Sequence, residues 1–141
     1  MNKTVPVKPA PRVAFALQCA DLLAQLRRDT AGVVSASIAT ADGLPVASTL
    51  TEDPEIDKLA AISGSISALA SALSRQVGHG DPDRFILESA SGTIVSLKVP
   101  GQQGGMVLTV VTDRNAVLGK LLWDCRATAV GVASSANQLA A

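Results

Sequence analysis

The sequence has 141 residues, a length typical of one domain with a modest hydrophobic core. Hydrophobic residues make up 48% of it, which excludes disorder over most of the chain. Twelve basic side chains balance twelve acidic ones, and only 2% of the residues are aromatic, with no tyrosine. This composition argues against nucleic-acid modules that stack bases on aromatic rings, and against attraction to an anionic membrane.

The N-terminal residues 1–12 contain two lysines and three prolines but no apolar stretch like that of a signal peptide. We expect a flexible arm there, a single domain over 13–133 and a frayed tail over 134–141. Within the domain, the periodicity predicts a first helix over 13–29.

A hairpin is predicted after the first helix. Residues 33–40 alternate between two faces, as in a strand, and 44–50 alternate again. Between them Asp42-Gly43 supplies the positive φ angles of a tight turn. Because Pro45 cannot donate a ladder hydrogen bond, the second strand is expected at a sheet edge.

A long helix should follow, over 55–77. Asp53 is a candidate N-cap, Pro54 suits the first helical position, and Gly78 can end the helix in a left-handed conformation.

Three further strands and a closing helix complete the predicted order. The strands are predicted over 84–89, 93–99 and 106–112, and the helix over 116–132. Short connections between consecutive strands indicate hairpins, so the sheet should be antiparallel with helices on its faces. The predicted class is α+β.

The long helix is unusual because the sixteen residues between Lys58 and Arg75 carry no formal charge. One stripe is large and apolar, and we expect it on the helix's own sheet: Leu59, Ile62, Ile66, Leu69 and Leu73. The other side is small, and we expect it to contact a second copy of the chain in a homodimer. Its candidate interface residues are Ala60, Gly64, Ser67, Ala68, Ser71 and Ser74. Burial within a larger monomeric core, or simple solvent exposure, remain alternatives.

The uncharged stretch is shorter than the ~20 residues that a bilayer requires, and it contains five serines and a glycine. Membrane insertion is therefore not expected.

The residues give no sign of catalysis or of a cofactor. The sequence lacks GxxxxGK[ST], GxSxG and HExxH motifs, and its only histidine, His79, falls in a loop. Cys19 and Cys125 stand far apart in apolar stretches, which is typical of buried free thiols in the cytoplasm. We predict no enzyme, no metal and no cofactor.

Four stretches in order resemble the roadblock/dynein light-chain family, in its bacterial branch. They are GVVSASIATADGLPVAS (32–48), DKLAAISGSISALASAL (57–73), FILESASGTIVSLKV (85–99) and MVLTVVTDRNAVLGKLL (106–122). The resemblance extends from about Phe15 to Val132. It implies a five-stranded antiparallel sheet with the central helix on one face and the terminal helices on the other, in the order αββαβββα.

The resemblance also implies homodimers in which the central helices pack together and the middle strands pair across the two-fold axis. Phe85 and Leu87, on a middle strand, therefore join the candidate dimer interface.

Family members bind and regulate Ras-like small GTPases, some as activators or scaffolds, and others are light chains of the dynein motor. The resemblance therefore implies a non-catalytic regulator or adaptor of such a GTPase, and the composition predicts no nucleic-acid partner. Arg84 and Arg114 are candidate partner contacts, because a stimulating protein can lend an arginine to phosphoryl transfer. Ordinary surface charge is the simpler interpretation of both. The alternative function is a small-ligand sensor or a structural oligomerisation module.

Overall fold

The structure is a computed structural model that describes residues 10–102 and 105–140. Its elements are α1 (Pro11–Asp29), β1 (Val33–Thr40), β2 (Pro45–Ser48), α2 (Asp53–Gln76), β3 (Arg84–Ser89), β4 (Gly92–Lys98), β5 (Met106–Thr112) and α3 (Leu118–Ala140). The α+β class and the order αββαβββα are confirmed.

Several helix ends differ from the prediction, among them the end of α2 at Gln76 and the start of α3 at Leu118. Helix α1 starts at Pro11, so the last two residues of the predicted arm are helical, and residues 1–9 lie outside the described residues. Helix α2 starts at Asp53, and no side chain caps it. Helix α3 continues to Ala140, so the described part of the predicted frayed tail is helical. The Ala- and Leu-containing sequence there favours helix, and Ala133 packs against the core.

The sheet is antiparallel throughout and has the strand order β2-β1-β5-β4-β3. Gly43 adopts the predicted positive φ, +89°, in the turn between β1 and β2, but Asp42 does not, so only the glycine of the pair is left-handed. Pro45 lies in β2, which is an edge strand as predicted. Strand β3 forms the opposite edge.

The hydrophobic core lies between the sheet and the pair α1 and α3. The strands contribute Ala36, Ile38, Val95, Leu97, Leu108 and Val110, and the helices contribute Cys19, Leu23, Leu26, Leu121, Cys125, Ala129 and Val132. Both cysteines are free and buried, as predicted. Burial raises the pKa of the Cys19 thiol to about 11, and burial together with the nearby Asp124 charge raises the pKa of Cys125 to about 12.

A polar cluster joins the end of α1 to α3. Asp124 Oδ2 accepts hydrogen bonds from Lys120 Nζ at 2.7 Å and from Thr30 Oγ1 at 2.6 Å. Thr30 is buried, and the Asp124 side chain is only 18% exposed. The hydrogen bonds from Lys120 and then Thr30 hold the pKa of Asp124 below its ordinary value.

Helix α2 lies alone on the other face of the sheet, over β1, β2 and β5. It approaches the β1–β2 turn so closely that a Cβ atom added at Gly64 would lie 3.0 Å from the Ala41 carbonyl oxygen and 3.0 Å from the Gly43 nitrogen. Both neighbours are backbone atoms, which cannot rotate away. Only glycine therefore fits without displacing the helix or the turn.

We expect Gly64→Val to destabilise the protein by about 1–3 kcal/mol, because the added side chain overpacks this contact. The matched control is Ser65→Val, which places the same β-branched residue at an exposed position one residue along α2. Thermal or urea unfolding followed by circular dichroism measures both. Equal stability of the two variants would contradict a tight helix–turn contact.

Asp124 should make stability depend on pH in the acidic range. Because its pKa is lower in the folded state, its stabilisation is complete above the ordinary pKa of aspartate and is lost as the pH falls through the folded-state value. We expect Asp124→Asn to cost about 1 kcal/mol near neutral pH and to flatten the decline in melting temperature between about pH 5 and pH 3. Substitution of the exposed Asp21 by asparagine is the control. An unchanged slope in Asp124→Asn would refute the assignment.

Candidate functional site

The sheet face beneath α2 is lined with hydroxyl groups. Ser37 and Ser48 share a hydrogen bond of 2.7 Å between their side chains across β1 and β2. Thr109 Oγ1 donates to Ser63 Oγ of α2 at 3.1 Å, and Ser96 of β4 lies 3.5 Å from the same threonine oxygen. This row of hydroxyls runs across the sheet because cross-strand partners lie on the same face.

A lysine also links α2 to the sheet, nearer the C-terminal end of the helix. Lys98 Nζ of β4 donates to Ser71 Oγ at 3.1 Å. The residues of α2 that are buried against the sheet are accordingly all small: Ala60, Ser63, Gly64 and Ser71. Small side chains and hydroxyl contacts, rather than buried leucines, therefore hold this helix on the sheet.

Three large apolar residues of α2 point away from the sheet, whereas Leu59 and Ile66 are half-buried. Ile62 is 52% exposed, Leu69 is 69% and Leu73 is 68%. We name Leu59, Ile62, Ile66, Leu69 and Leu73 the α2 stripe. The prediction that this stripe packs on the helix's own sheet is wrong for Ile62, Leu69 and Leu73. The physical reason is the short distance between helix and turn at Gly64, which admits only the small side.

Because the small side of α2 faces the sheet, several of the predicted interface residues are not on the outer side of the helix. Ala60, Gly64 and Ser71 are buried in their own protomer, so they do not form the outer surface assigned to them. Ser67 and Ser74 are half-buried, and Ser74 donates its hydroxyl hydrogen to the Gly80 carbonyl oxygen.

The other three predicted interface residues have accessible surface, as do the half-buried Ser67 and Ser74. Ala68 is exposed on α2, Leu87 is exposed on β3, and Phe85 is half-buried. Phe85 pairs with Ser96 and Leu87 with Ile94, so both lie on the same sheet face as α2. Because β3 is an edge strand, this apolar surface adjoins a free row of backbone hydrogen-bonding groups. Their contact with a second copy stays a prediction.

The structure does not bring the two candidate arginines together. Arg84 starts β3 and pairs with Leu97 near the end of β4, whereas Arg114 follows β5 beside the turn that begins β4. The length of β4 separates these ends by about 20 Å. Both side chains are exposed, as expected of ordinary surface charge.

Within residues 10–102 and 105–140, no group of three His, Cys, Asp or Glu side chains is arranged to hold a metal ion. His79 is exposed just beyond α2. By length and composition alone, α2, with 24 residues, qualifies as a helix that could cross a membrane. The helices of many soluble proteins meet the same criterion, and here the small side of α2 packs on the sheet.

Comparison with known proteins identifies one family. Residues 19–112 match the model of the Roadblock/LC7 domain. A search of curated protein sequences found no significant match.

Several solved structures share the fold at low sequence identity. A structure described as MglB with tetrameric arrangement is 20% identical over 99% of each chain, with a TM-score of 0.77. The gliding protein MglB of Thermus thermophilus is 18% identical over 98% of this chain and 99% of its own, with a TM-score of 0.75. A Roadblock/LC7 domain from Streptomyces avermitilis is 21% identical over 86% of this chain and 98% of its own, with a TM-score of 0.74.

Proposed function

This chain belongs to the Roadblock/LC7 family, and from that membership we propose that it is a homodimer that binds a Ras-like small GTPase and regulates or localises it. Members of the family are regulatory adaptors rather than catalysts. The protein acts in the cytoplasm, where free cysteines such as Cys19 and Cys125 persist.

The observation that carries this proposal is the exposed α2 stripe. Monomeric soluble proteins rarely expose a contiguous row of large aliphatic side chains. Covering one such side chain is worth roughly 1.5–3 kcal/mol, and Ile62, Leu69 and Leu73 are each more than half exposed in the protomer. A stripe of this size favours a protein partner on the outer face of α2.

The partner at that face is a second copy of the chain. A two-fold axis beside α2 and β3 brings the two α2 stripes together and pairs the two β3 edges in one continuous sheet. Leu87 and Phe85 then line the same interface, because they share the sheet face with α2. The tetrameric arrangement described for an MglB structure of the same fold is consistent with self-association.

The GTPase supplies the nucleotide site, since this sequence has no P-loop. The dimer acts on it by holding its switch segments in one conformation, which is an established route to switching in such proteins. Arg84 and Arg114 are the candidate contacts, and their separation at opposite ends of β4 favours binding over a shared catalytic role.

We expect Leu69→Glu with Leu73→Glu to convert dimers into monomers or aggregates, because four carboxylates would meet at the two-fold axis. Light scattering coupled to size exclusion measures the mass. Val117→Glu is the control, since Val117 is 70% exposed outside α2. A double variant that keeps the dimer mass would place the interface elsewhere.

A pull-down tests the partner, with the full chain as bait and a purified Ras-like GTPase of the same organism loaded with GDP or a GTP analogue. We expect binding that depends on the nucleotide. Arg84→Ala and Arg114→Ala should change any stimulated hydrolysis by less than about threefold, far below the roughly thousandfold loss that removal of an arginine finger causes. Failure to bind in both nucleotide states would refute the proposal.

A further inference from the structure

A second unpartnered surface lies along α1, beside the edge strand β2. It is an open groove of about 520 Å³. Its lining residues are Ala20, Ala24, Arg27, Arg28, Ser48 and Thr49. We name it the α1 groove.

The α1 groove continues along the helix as an apolar row. Val13 and Leu17 are 52% and 57% exposed, and Ala20 and Ala24 follow them at helical spacing. Positions three or four residues apart lie on one side of a helix, so this row forms a single stripe that is distinct from the core stripe with Cys19. The two alanines are small enough for another backbone to come close.

Two positively charged residues lie at one end of the row. Arg27 and Arg28 lie in the last turn of α1, and both are exposed. The ion pairs formed by the described part of the chain are Arg75–Asp81 and Lys120–Asp124, so neither arginine of the groove has a carboxylate within 4.0 Å. An incoming acidic group would meet two unpaired guanidinium groups, which bind carboxylates well.

The shape of the groove favours a helix over an added strand. Strand β2 has only four residues, and the first of them is Pro45, which has no backbone N–H. A short edge with proline resists strand addition. The apolar row, by contrast, extends about 17 Å from Val13 to Ala24, which equals some three turns of a partner helix, and the two arginines follow in the next turn.

We infer that the α1 groove docks an acidic amphipathic helix of a partner protein. The apolar side of that helix packs on Val13, Leu17, Ala20 and Ala24, and carboxylates near one of its ends pair with Arg27 and Arg28. This interaction is independent of the α2 stripe, because α1 and α2 cover opposite faces of the sheet.

The probe is a fluorescein-labelled helical peptide of about 16 residues, with leucines at spacings of three and four, alanines between them and glutamates at one end. Fluorescence anisotropy with the full chain measures its binding. We expect saturable binding that Leu17→Glu weakens roughly ten- to a hundredfold, with a smaller loss in Leu17→Ala. Arg27→Glu with Arg28→Glu should weaken peptide binding about tenfold. A peptide with lysines in place of the glutamates should bind the wild-type protein about tenfold more weakly than the glutamate peptide does.

Controls separate this surface from the others. Val117→Glu and Arg126→Glu alter exposed residues outside the groove and should leave the affinity unchanged. Leu69→Glu tests whether the peptide lies on the α2 stripe instead. The inference would be overturned if the peptide did not bind, or if the lysine peptide bound as tightly as the glutamate peptide. It would also be overturned if Leu69→Glu abolished binding and Leu17→Glu did not. Circular dichroism confirms that each variant is folded.

Discussion

The close approach of α2 to the β1–β2 turn determines which side chains of α2 are exposed. At Gly64 the helix and the turn are in backbone contact, and a hydroxyl row lies beneath α2. The small side of α2 therefore faces the sheet, and Ile62, Leu69 and Leu73 lie on the outer side. A surface suited to protein contact follows directly from one glycine and a row of short polar side chains.

The two faces of the sheet hold their helices by different means. Beneath α1 and α3 the sheet is aliphatic, and burial of residues such as Ile38 and Leu108 accounts for most of the stability there. Beneath α2 the sheet presents hydroxyl groups beside a few apolar residues such as Ala39 and Val107, and each hydroxyl hydrogen bond contributes only about 1 kcal/mol after exchange with water. The main hydrophobic core thus lies on one face of the sheet, and the exposed apolar side chains of α2 lie on the other.

Sequence periodicity could recover the elements, because each depends on neighbours in the chain. The Asp42-Gly43 turn, the edge position of Pro45 and the buried cysteines were all predictable from local pattern and residue chemistry. The orientation of α2 was not, since both of its sides lack charge and periodicity cannot distinguish inner from outer. The hydroxyls of Ser37, Ser96 and Thr109 were the missed signal, because they alternate onto one face of their strands and mark it as polar.

By itself the sequence determined the order of elements, the antiparallel hairpins and the presence of a helix that cannot face water on every side. Those properties follow from short-range backbone preferences and from the balance of polar and apolar residues. Only the tertiary structure decided which side of α2 is hidden and that Arg27 and Arg28 border a groove beside β2. Both depend on distances between segments far apart in the chain, and no local pattern encodes these distances.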